Sequence, residues 1–129
     1  MKPSALVIVI IATATAPASL PPRSFPLVPL PPPLDWMPSP SLLAEHVLAS
    51  HHADYAAHAS GESWARDVVG LCERDPACTS TFSFSAINAG SPRARYWFAY
   101  TCGGGPTTPA NYTRDLEGLQ DTIAHSVVG

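Results

Sequence analysis

The sequence predicts a small α+β domain, in which amphipathic helices pack on an antiparallel β-hairpin sheet of two strands or slightly more. Three observations lead to this class: an apolar stripe of helical period over residues 60–74, two aromatic-rich alternating segments at 81–86 and 95–102, and a Gly/Pro turn between them. The 129 residues suffice for one domain. We expect it to occupy residues 41–129, in the order helix, helix, strand, strand, helix.

The first predicted helix covers residues 41–58. Ser39 can cap it, and Pro40 suits the first helical position because its missing N–H would have no partner there. A short apolar stripe follows, formed by Leu43, Val47 and Leu48. The segment then becomes polar and alanine-rich, and we expect Ala-Ser-Gly at 59–61 to end the helix.

The second predicted helix is the clearest element of the chain. Ser60 or Gly61 begins it, and Glu62 lies in the first turn, where the helix dipole favours an acid. One face is apolar, with Trp64, Val68, Leu71 and Cys72 at helical spacing. The pair Asp75-Pro76 ends the helix, because a residue before proline avoids the α region.

The two aromatic segments predict a hairpin. A turn centred on Gly90 pairs residues whose numbers sum to 180. That register places opposite one another the pairs Phe82–Phe98, Phe84–Tyr96 and Cys78–Cys102. Trp97 points to the other face, so both faces of the second strand need cover or a partner.

A last helix is predicted from Asp115 to Val127, with Thr113 as its cap and an apolar stripe that includes Leu119 and Ile123. With two helices over the hairpin, we expect one common core. Its predicted members are Trp64, Val68, Leu71, Phe82, Phe84, Phe98, Leu119 and Ile123.

The first 18 residues have the features of a secretory signal peptide. Lys2 gives a positive start, an uninterrupted apolar run covers residues 5–14, and small residues then fit the A-x-A cleavage pattern. Ala14 and Ala18 are the two favoured cleavage positions. The run is about half the roughly 20 residues of a membrane span, so an uncleaved anchor is the alternative.

Residues 19–40 form a proline-rich segment. Eleven of the fifteen prolines lie within the first forty residues. Since proline fixes φ and lacks an amide donor, we expect this segment to be extended or disordered. It reads as a spacer or pro-segment, with a PxxP-type ligand as the alternative.

The charge balance argues against nucleic-acid and membrane partners. The chain has a formal net charge of −3, and Lys2 is its only lysine. Without the signal peptide, six arginines stand against ten acidic residues, a formal charge of −4 from six minus ten. Nucleic acids and anionic lipids both attract basic surfaces, so we expect neither a nucleic-acid partner nor, after signal cleavage, a membrane partner.

The three cysteines are Cys72, Cys78 and Cys102. In a secreted chain, oxidation is the expected state. We predict a Cys72–Cys78 disulfide, because the loop it closes is short and contains Pro76. Bridges from Cys78 or Cys72 to Cys102 remain open alternatives. The remaining thiol would either be buried or form an intermolecular bridge.

Residues 69–84 (VGLCERDPACTSTFSF) resemble the centre of PAN/apple domains, which combine a cysteine at a helix end, an Asp-Pro-x-Cys turn and an aromatic first strand. The resemblance covers roughly residues 67–100. The same stretch is similar to small secreted proteins of filamentous fungi. The resemblance implies a module that binds protein or carbohydrate rather than an enzyme, and it implies no catalytic residues.

Catalytic, cofactor and metal sites are not expected. The segment at 61–65 (GESWA) lacks the second glycine of a nucleophile elbow, and the carboxylates near the second helix read as its solvated face. One alternative is a metal site: on a continuous helix, His51, Asp54 and His58 share a face that could hold Zn²⁺ or Cu²⁺. That alternative would make the protein a small secreted enzyme or metal-binding protein.

Asn111-Tyr112-Thr113 is the only N-glycosylation sequon, and we predict a glycan on Asn111 in a eukaryotic secretory route. Together these features predict a secreted, non-enzymatic recognition protein that binds an extracellular protein or carbohydrate, effector-like if fungal. A structural wall or matrix component is a third possibility.

Overall fold

The computed structural model describes residues 23–90, 93–114 and 118–128, and this part of the chain is mostly β-structure. Its strands are β1 (Trp36–Pro38), β2 (Val47–Asp54), β3 (Ser80–Ile87), β4 (Arg95–Cys102), β5 (Tyr112–Arg114) and β6 (Gln120–Ser126). Its helices are α1 (Pro40–Glu45) and α2 (Gly61–Glu73), with 3-10 turns at Tyr55–Ala57 and Pro109–Asn111. The predicted class, helices on a hairpin, is therefore wrong, because strands replace two of the three predicted helices.

The strands form two antiparallel sheets. The main sheet has the order β2-β4-β3-β6, and the small sheet pairs β1 with β5. β3 and β4 are the central strands, so the predicted hairpin is the centre of the main sheet. A central strand exposes both faces to other layers, which explains why apolar residues occur on both faces of β4.

The main sheet lies between two unlike layers. α2 covers one face, where the buried side chains of β3 all carry hydroxyl groups: Thr81, Ser83 and Ser85. These small residues let the helix approach closely. The opposite face carries the aromatic side chains of Phe82 and Phe84, covered by Val28, Leu42 and Tyr112 from outside the sheet.

The second helix is confirmed. Ser60 is its N-cap, and the Ser60 hydroxyl accepts a hydrogen bond from the Ser63 amide at 3.1 Å. Glu62 lies in the first turn as expected, and the helix ends at Glu73, just before Asp75. The Asp75 carboxylate accepts a hydrogen bond from the Ala77 amide and so fixes the turn that follows the helix.

The first helix is six residues long instead of the predicted residues 41–58. Its predicted cap and first residue are confirmed: Ser39 caps it, and Pro40 begins it. Residues 47–54 form β2, which pairs with β4 over its whole length. The polar second half of the predicted helix has no continuous apolar stripe to bury, whereas β4 has an open edge that β2 satisfies.

The predicted last helix, residues 115–127, is also wrong. Thr113 lies in β5, and the end of the chain forms β6, which pairs with β3. Residues 115–117 lie outside the described part. Buried Thr122, Ala124 and Ser126 alternate with less buried neighbours, which is the period of a strand. Asp121 adopts φ 58°, which interrupts any helix at this position.

The hairpin is confirmed, but its register differs from the predicted one by two residues. Phe82 lies opposite Tyr100, and Phe84 lies opposite Phe98, so paired numbers sum to 182 rather than 180. Cys102 consequently lies opposite Ser80 and not Cys78. A shift of two leaves every side chain on its predicted face.

The single predicted core is divided by the main sheet. Phe82 and Phe84 are buried on the aromatic side, and Trp64 and Val68 are buried with Trp97 on the α2 side. The other four predicted members are only half-buried: Leu71, Phe98, Leu119 and Ile123.

The proline-rich segment differs from the predicted disordered spacer over its described part, residues 23–40. Phe25 and Val28 are buried, and the segment runs along β6. The Val28 amide donates to the Ala124 carbonyl at 2.8 Å, and the Ser126 amide donates to the Pro26 carbonyl at 3.1 Å. The predicted signal peptide, residues 1–18, lies outside the described residues.

Two neighbouring substitutions test whether this segment is part of the fold. Val28 is 5% exposed and Leu27 is 60% exposed. We expect Val28→Ala to reduce the free energy of unfolding by about 1.5–3 kcal/mol, because it leaves a cavity beside Phe82 and Ala124. Leu27→Ala should change it by less than about 0.5 kcal/mol. Equal effects of the two variants in urea denaturation would show that the segment does not pack.

Candidate recognition surface

The two edge strands of the main sheet, β6 and β2, differ in whether another segment of the chain covers them. The β6 edge is covered by residues 25–36, through an isolated bridge between Leu27 and His125 and backbone hydrogen bonds. The β2 edge has no such cover within the described residues. The backbone groups of β2 that point away from β4 are therefore open to a partner.

β2 lacks two of the residues that usually block an edge strand, since its eight residues, VLASHHAD, include neither proline nor lysine. Its one irregularity, a bulge-type register shift between Val47 and Ala49, lies at the start of the strand and leaves residues 49–54 regularly paired with β4. Natural sheets protect long exposed edges with such devices, because an unprotected edge can pair with another chain. The unprotected β2 edge is therefore the first element of a candidate site.

A groove of about 600 Å³ runs between β2 and α2. Its β2 wall consists of Ser50, His51 and His52. The α2 wall is formed by Trp64, Arg66, Asp67, Gly70, Leu71 and Arg74. Two guanidinium groups and one carboxylate line the groove, so it is locally basic in a protein of negative net charge.

The arginines of the groove are available to a ligand. Within the described residues, neither Arg66 nor Arg74 forms an ion pair or a side-chain hydrogen bond, and both are exposed. His51 is half-buried and shares a 3.4 Å hydrogen bond with the Thr101 hydroxyl. Burial lowers the pKa of His51 below its usual value, so this imidazole is neutral at neutral pH.

His58 fixes the connection between β2 and α2. Its Nδ1 shares a 2.9 Å hydrogen bond with the Ser63 hydroxyl, and its Nε2 lies 3.4 Å from the Asp67 carboxylate. The ring also contacts Trp64, with centroids 5.2 Å apart. Through these contacts with Ser63 and Asp67, His58 attaches the segment that joins β2 to α2 to the first two turns of the helix.

The predicted metal-binding trio is not on one helix face. His51 and Asp54 lie on β2, whereas His58 follows a 3-10 turn and binds α2. Neighbouring strand residues such as His51 and His52 point to opposite faces. The part of the chain that the structure describes contains no group of three or more His, Cys, Asp or Glu side chains that could hold a metal ion.

The predicted Cys72–Cys78 disulfide is confirmed, with Cα atoms 5.2 Å apart. It joins the last turn of α2 to the segment before β3. We call this turn between α2 and β3 the α2 corner. Arg23 also stabilises it, since its guanidinium donates to the carbonyls of Cys72 and Asp75 at 3.0 and 2.9 Å. The corner therefore holds α2 in place beside the groove.

Cys102 is a buried free cysteine, and burial raises its pKa to about 11. The thiolate is the reactive form, so we expect the native protein to resist alkylation by iodoacetamide at about pH 8. In denaturant, one thiol per chain should react, as measured by intact mass. Alkylation of the native protein at a rate near that of the denatured protein would contradict the buried placement.

Asn111 lies at the end of the second 3-10 turn and is half-buried. Its Oδ1 accepts a hydrogen bond from the Thr108 amide at 2.8 Å. Thr113 of the sequon is exposed, while Tyr112 is buried and shares a hydrogen bond with Thr107. Glycosylation of Asn111 stays a prediction.

Comparisons with protein families, curated proteins and solved structures gave no match. The PAN/apple resemblance consequently stays a prediction that rests on its own residues. None of the helices in the described ranges has the length and apolar character to span a bilayer.

The basic groove was not predicted from the sequence, because β2 was assigned to a helix. One signal was available. The β4 sequence RYWFAYTC is apolar on both faces, which is typical of a strand at the centre of a sheet that is covered on both faces. Residues 47–54 are the adjacent segment that could supply the second neighbour.

Proposed function

We propose that this protein recognises an extended, acidic segment of an extracellular protein by adding that segment as a strand beside β2. The observation that carries the proposal is the uncovered β2 edge, regular over residues 49–54, beside a groove with two unpaired arginines. The extracellular setting rests on the predicted signal peptide. The protein acts by binding, without catalysis.

Strand addition explains how a small domain could bind with few side chains. The added segment would satisfy the outward backbone groups of β2, and main-chain hydrogen bonds supply much of the affinity in this mode. Side chains then provide specificity. On the α2 side of the added strand, alternate side chains would reach the groove that contains Arg66 and Arg74.

The charge of the groove selects the partner. Acidic side chains on the added strand would pair with Arg66 and Arg74, which can bind carboxylates in a bidentate manner. Basic segments would be repelled, and charge complementarity of this kind mainly increases the association rate and the discrimination between partners.

A second copy of this chain fits the edge less well. Two copies paired antiparallel through β2 are related by a two-fold axis perpendicular to the sheet, which leaves both α2 helices on the same face. The two basic grooves would then adjoin, and like charges would repel.

The proposal is tested with two extended peptides of equal length, one alternating glutamate with valine and one alternating lysine with valine. In fluorescence anisotropy at low salt, we expect only the acidic peptide to bind, with affinity that decreases as salt increases. Arg74→Glu should weaken this binding by about tenfold or more. Arg93→Glu is the matched control, since Arg93 is also exposed but lies in the β3–β4 turn.

Equal binding of the two peptides, or equal loss in the Arg74→Glu and Arg93→Glu variants, would overturn the proposal. A binding protein that selects carbohydrate instead would bind neither peptide. That result also counts against strand addition at β2.

A further inference from the structure

A second groove lies on the opposite side of α2, above β6. It has a volume of about 500 Å³, within the roughly 300–1,000 Å³ range of small-molecule sites. We name it the β6 groove. One wall is the proline-rich segment, with Phe25, Leu27, Val28, Leu30 and Leu34, and the other is α2, with Ala65 and Val69.

The lining of the β6 groove is apolar with few polar groups. Leu27 and Leu34 on its rim are 60% and 40% exposed, so the apolar surface reaches the solvent. Glu62 and Arg66 are the charged residues of the lining, and their opposite charges favour neither an anionic nor a cationic ligand. The groove therefore suits an uncharged molecule with a large apolar part.

His125 is an uncharged polar residue in the lining of the β6 groove. Its Nδ1 is enclosed and has no hydrogen-bond partner within the described residues. An enclosed N–H without an acceptor is rarer in proteins than an enclosed lone pair, which places the proton of the neutral ring on Nε2. Burial also lowers the pKa of His125, so the ring is neutral at neutral pH. Its free Nε2–H can donate one hydrogen bond to a ligand.

We propose that the β6 groove binds a small apolar molecule carrying one neutral hydrogen-bond acceptor, such as a ketone, ester or ether oxygen. The apolar part lies between the proline-rich segment and α2, and the acceptor oxygen receives the hydrogen bond from His125 Nε2. The proline-rich wall is stiff, because each proline fixes one backbone angle, so the site is largely preformed. This site does not include the β2 edge, although Arg66 lines both grooves.

The test uses the secreted protein and the neutral fluorescent probe phenylnaphthylamine. We expect the probe to gain fluorescence in the groove. Methyl heptyl ketone and nonyl chloride have chains of similar size, but only the ketone offers a good acceptor oxygen. The ratio of ketone to chloride displacement should fall about three- to tenfold, the value of one hydrogen bond, when His125 is replaced by phenylalanine.

Two variants locate the site. His125→Phe keeps the ring shape but removes the Nε2–H donor, so it should still bind the probe while the ketone loses its hydrogen bond. Leu27→Gln, on the exposed rim, should weaken probe binding severalfold, whereas Leu48→Gln should not. Leu48 is a matched control, because it is 45% exposed and lies on β2.

Four results would overturn the proposal. The first is no probe binding, the second is a ketone-to-chloride ratio that does not change in His125→Phe, and the third is unchanged probe binding in Leu27→Gln. Loss of probe binding as the protein dimerises with increasing concentration would instead assign the groove to a second copy of the chain, which also overturns it.

Discussion

Replacing Trp97 by alanine should destabilise the protein by about 3–5 kcal/mol, a large part of the roughly 5–15 kcal/mol that stabilises a small domain. Trp97 is 2% exposed and packs with Trp64 and Val68 between the main sheet and α2. Its ring stacks on Tyr55 with centroids 4.8 Å apart, and its Nε1–H donates to the Tyr55 carbonyl at 2.9 Å. The substitution removes all of these interactions at once.

The neighbouring Tyr96 is the control. It lies on the same strand but faces the other side of the sheet and is half-buried. We expect Tyr96→Ala to cost about 1–2 kcal/mol, well below Trp97→Ala, in urea denaturation. If Tyr96→Ala costs as much as Trp97→Ala, the assignment of faces on β4 is wrong.

Loss of the Cys72–Cys78 disulfide is expected to cost about 2–4 kcal/mol. The double variant Cys72→Ala/Cys78→Ala is used, because a single variant would leave Cys78 able to oxidise. In the chain-entropy model, even this short loop restricts the unfolded chain by about 2 kcal/mol, and two buried sulfur atoms are lost in addition. The free energy of unfolding, measured with and without the bridge, gives the cost.

Cys102→Ala separates the two contributions to this cost. Cys102 is as buried as the bridged cysteines but carries no bridge, so this variant reports the loss of one buried sulfur alone. If the double variant costs no more than twice the cost of Cys102→Ala, the disulfide itself contributes nothing. Such a result would contradict our account of the α2 corner.

The second helix, the hairpin and the Cys72–Cys78 bridge were predictable because their signals are local. A cap at Ser60, a stop at Asp75-Pro76 and alternation in β3 all lie within short stretches of sequence. Local pattern also fixed the face of each hairpin residue, although not the register. The register depends on the geometry of the turn. In the structure, each residue of β3 pairs with a β4 residue two positions later than predicted.

The predictions of the first and last helices were wrong because pairing with distant strands determines the secondary structure of these segments. Residues 47–54 and 120–126 are short and polar enough that neither helix nor strand would be stable alone. The open edges of β3 and β4 provide hydrogen bonds that an isolated helix cannot match. The candidate site was missed for the same reason, since it exists only where β2 lies beside α2.

The packing of the proline-rich segment also depends on long-range contacts. Proline content correctly excluded a long helix there, but it could not indicate that Phe25 and Val28 would be buried. A segment without regular structure can still cover a sheet edge when its apolar side chains face the core. The β6 edge needed such cover, and the β2 edge was left without it.

The most direct test of the central claim, recognition at the β2 edge, is residue-resolved amide hydrogen exchange by NMR with and without the acidic peptide. Strand addition predicts that exchange slows at alternate residues of β2, those whose N–H groups point away from β4, while the intervening amides are already protected in the free protein. The lysine peptide should change nothing. Peptide binding without this period-two protection in β2, or with protection confined to α2, would contradict the account.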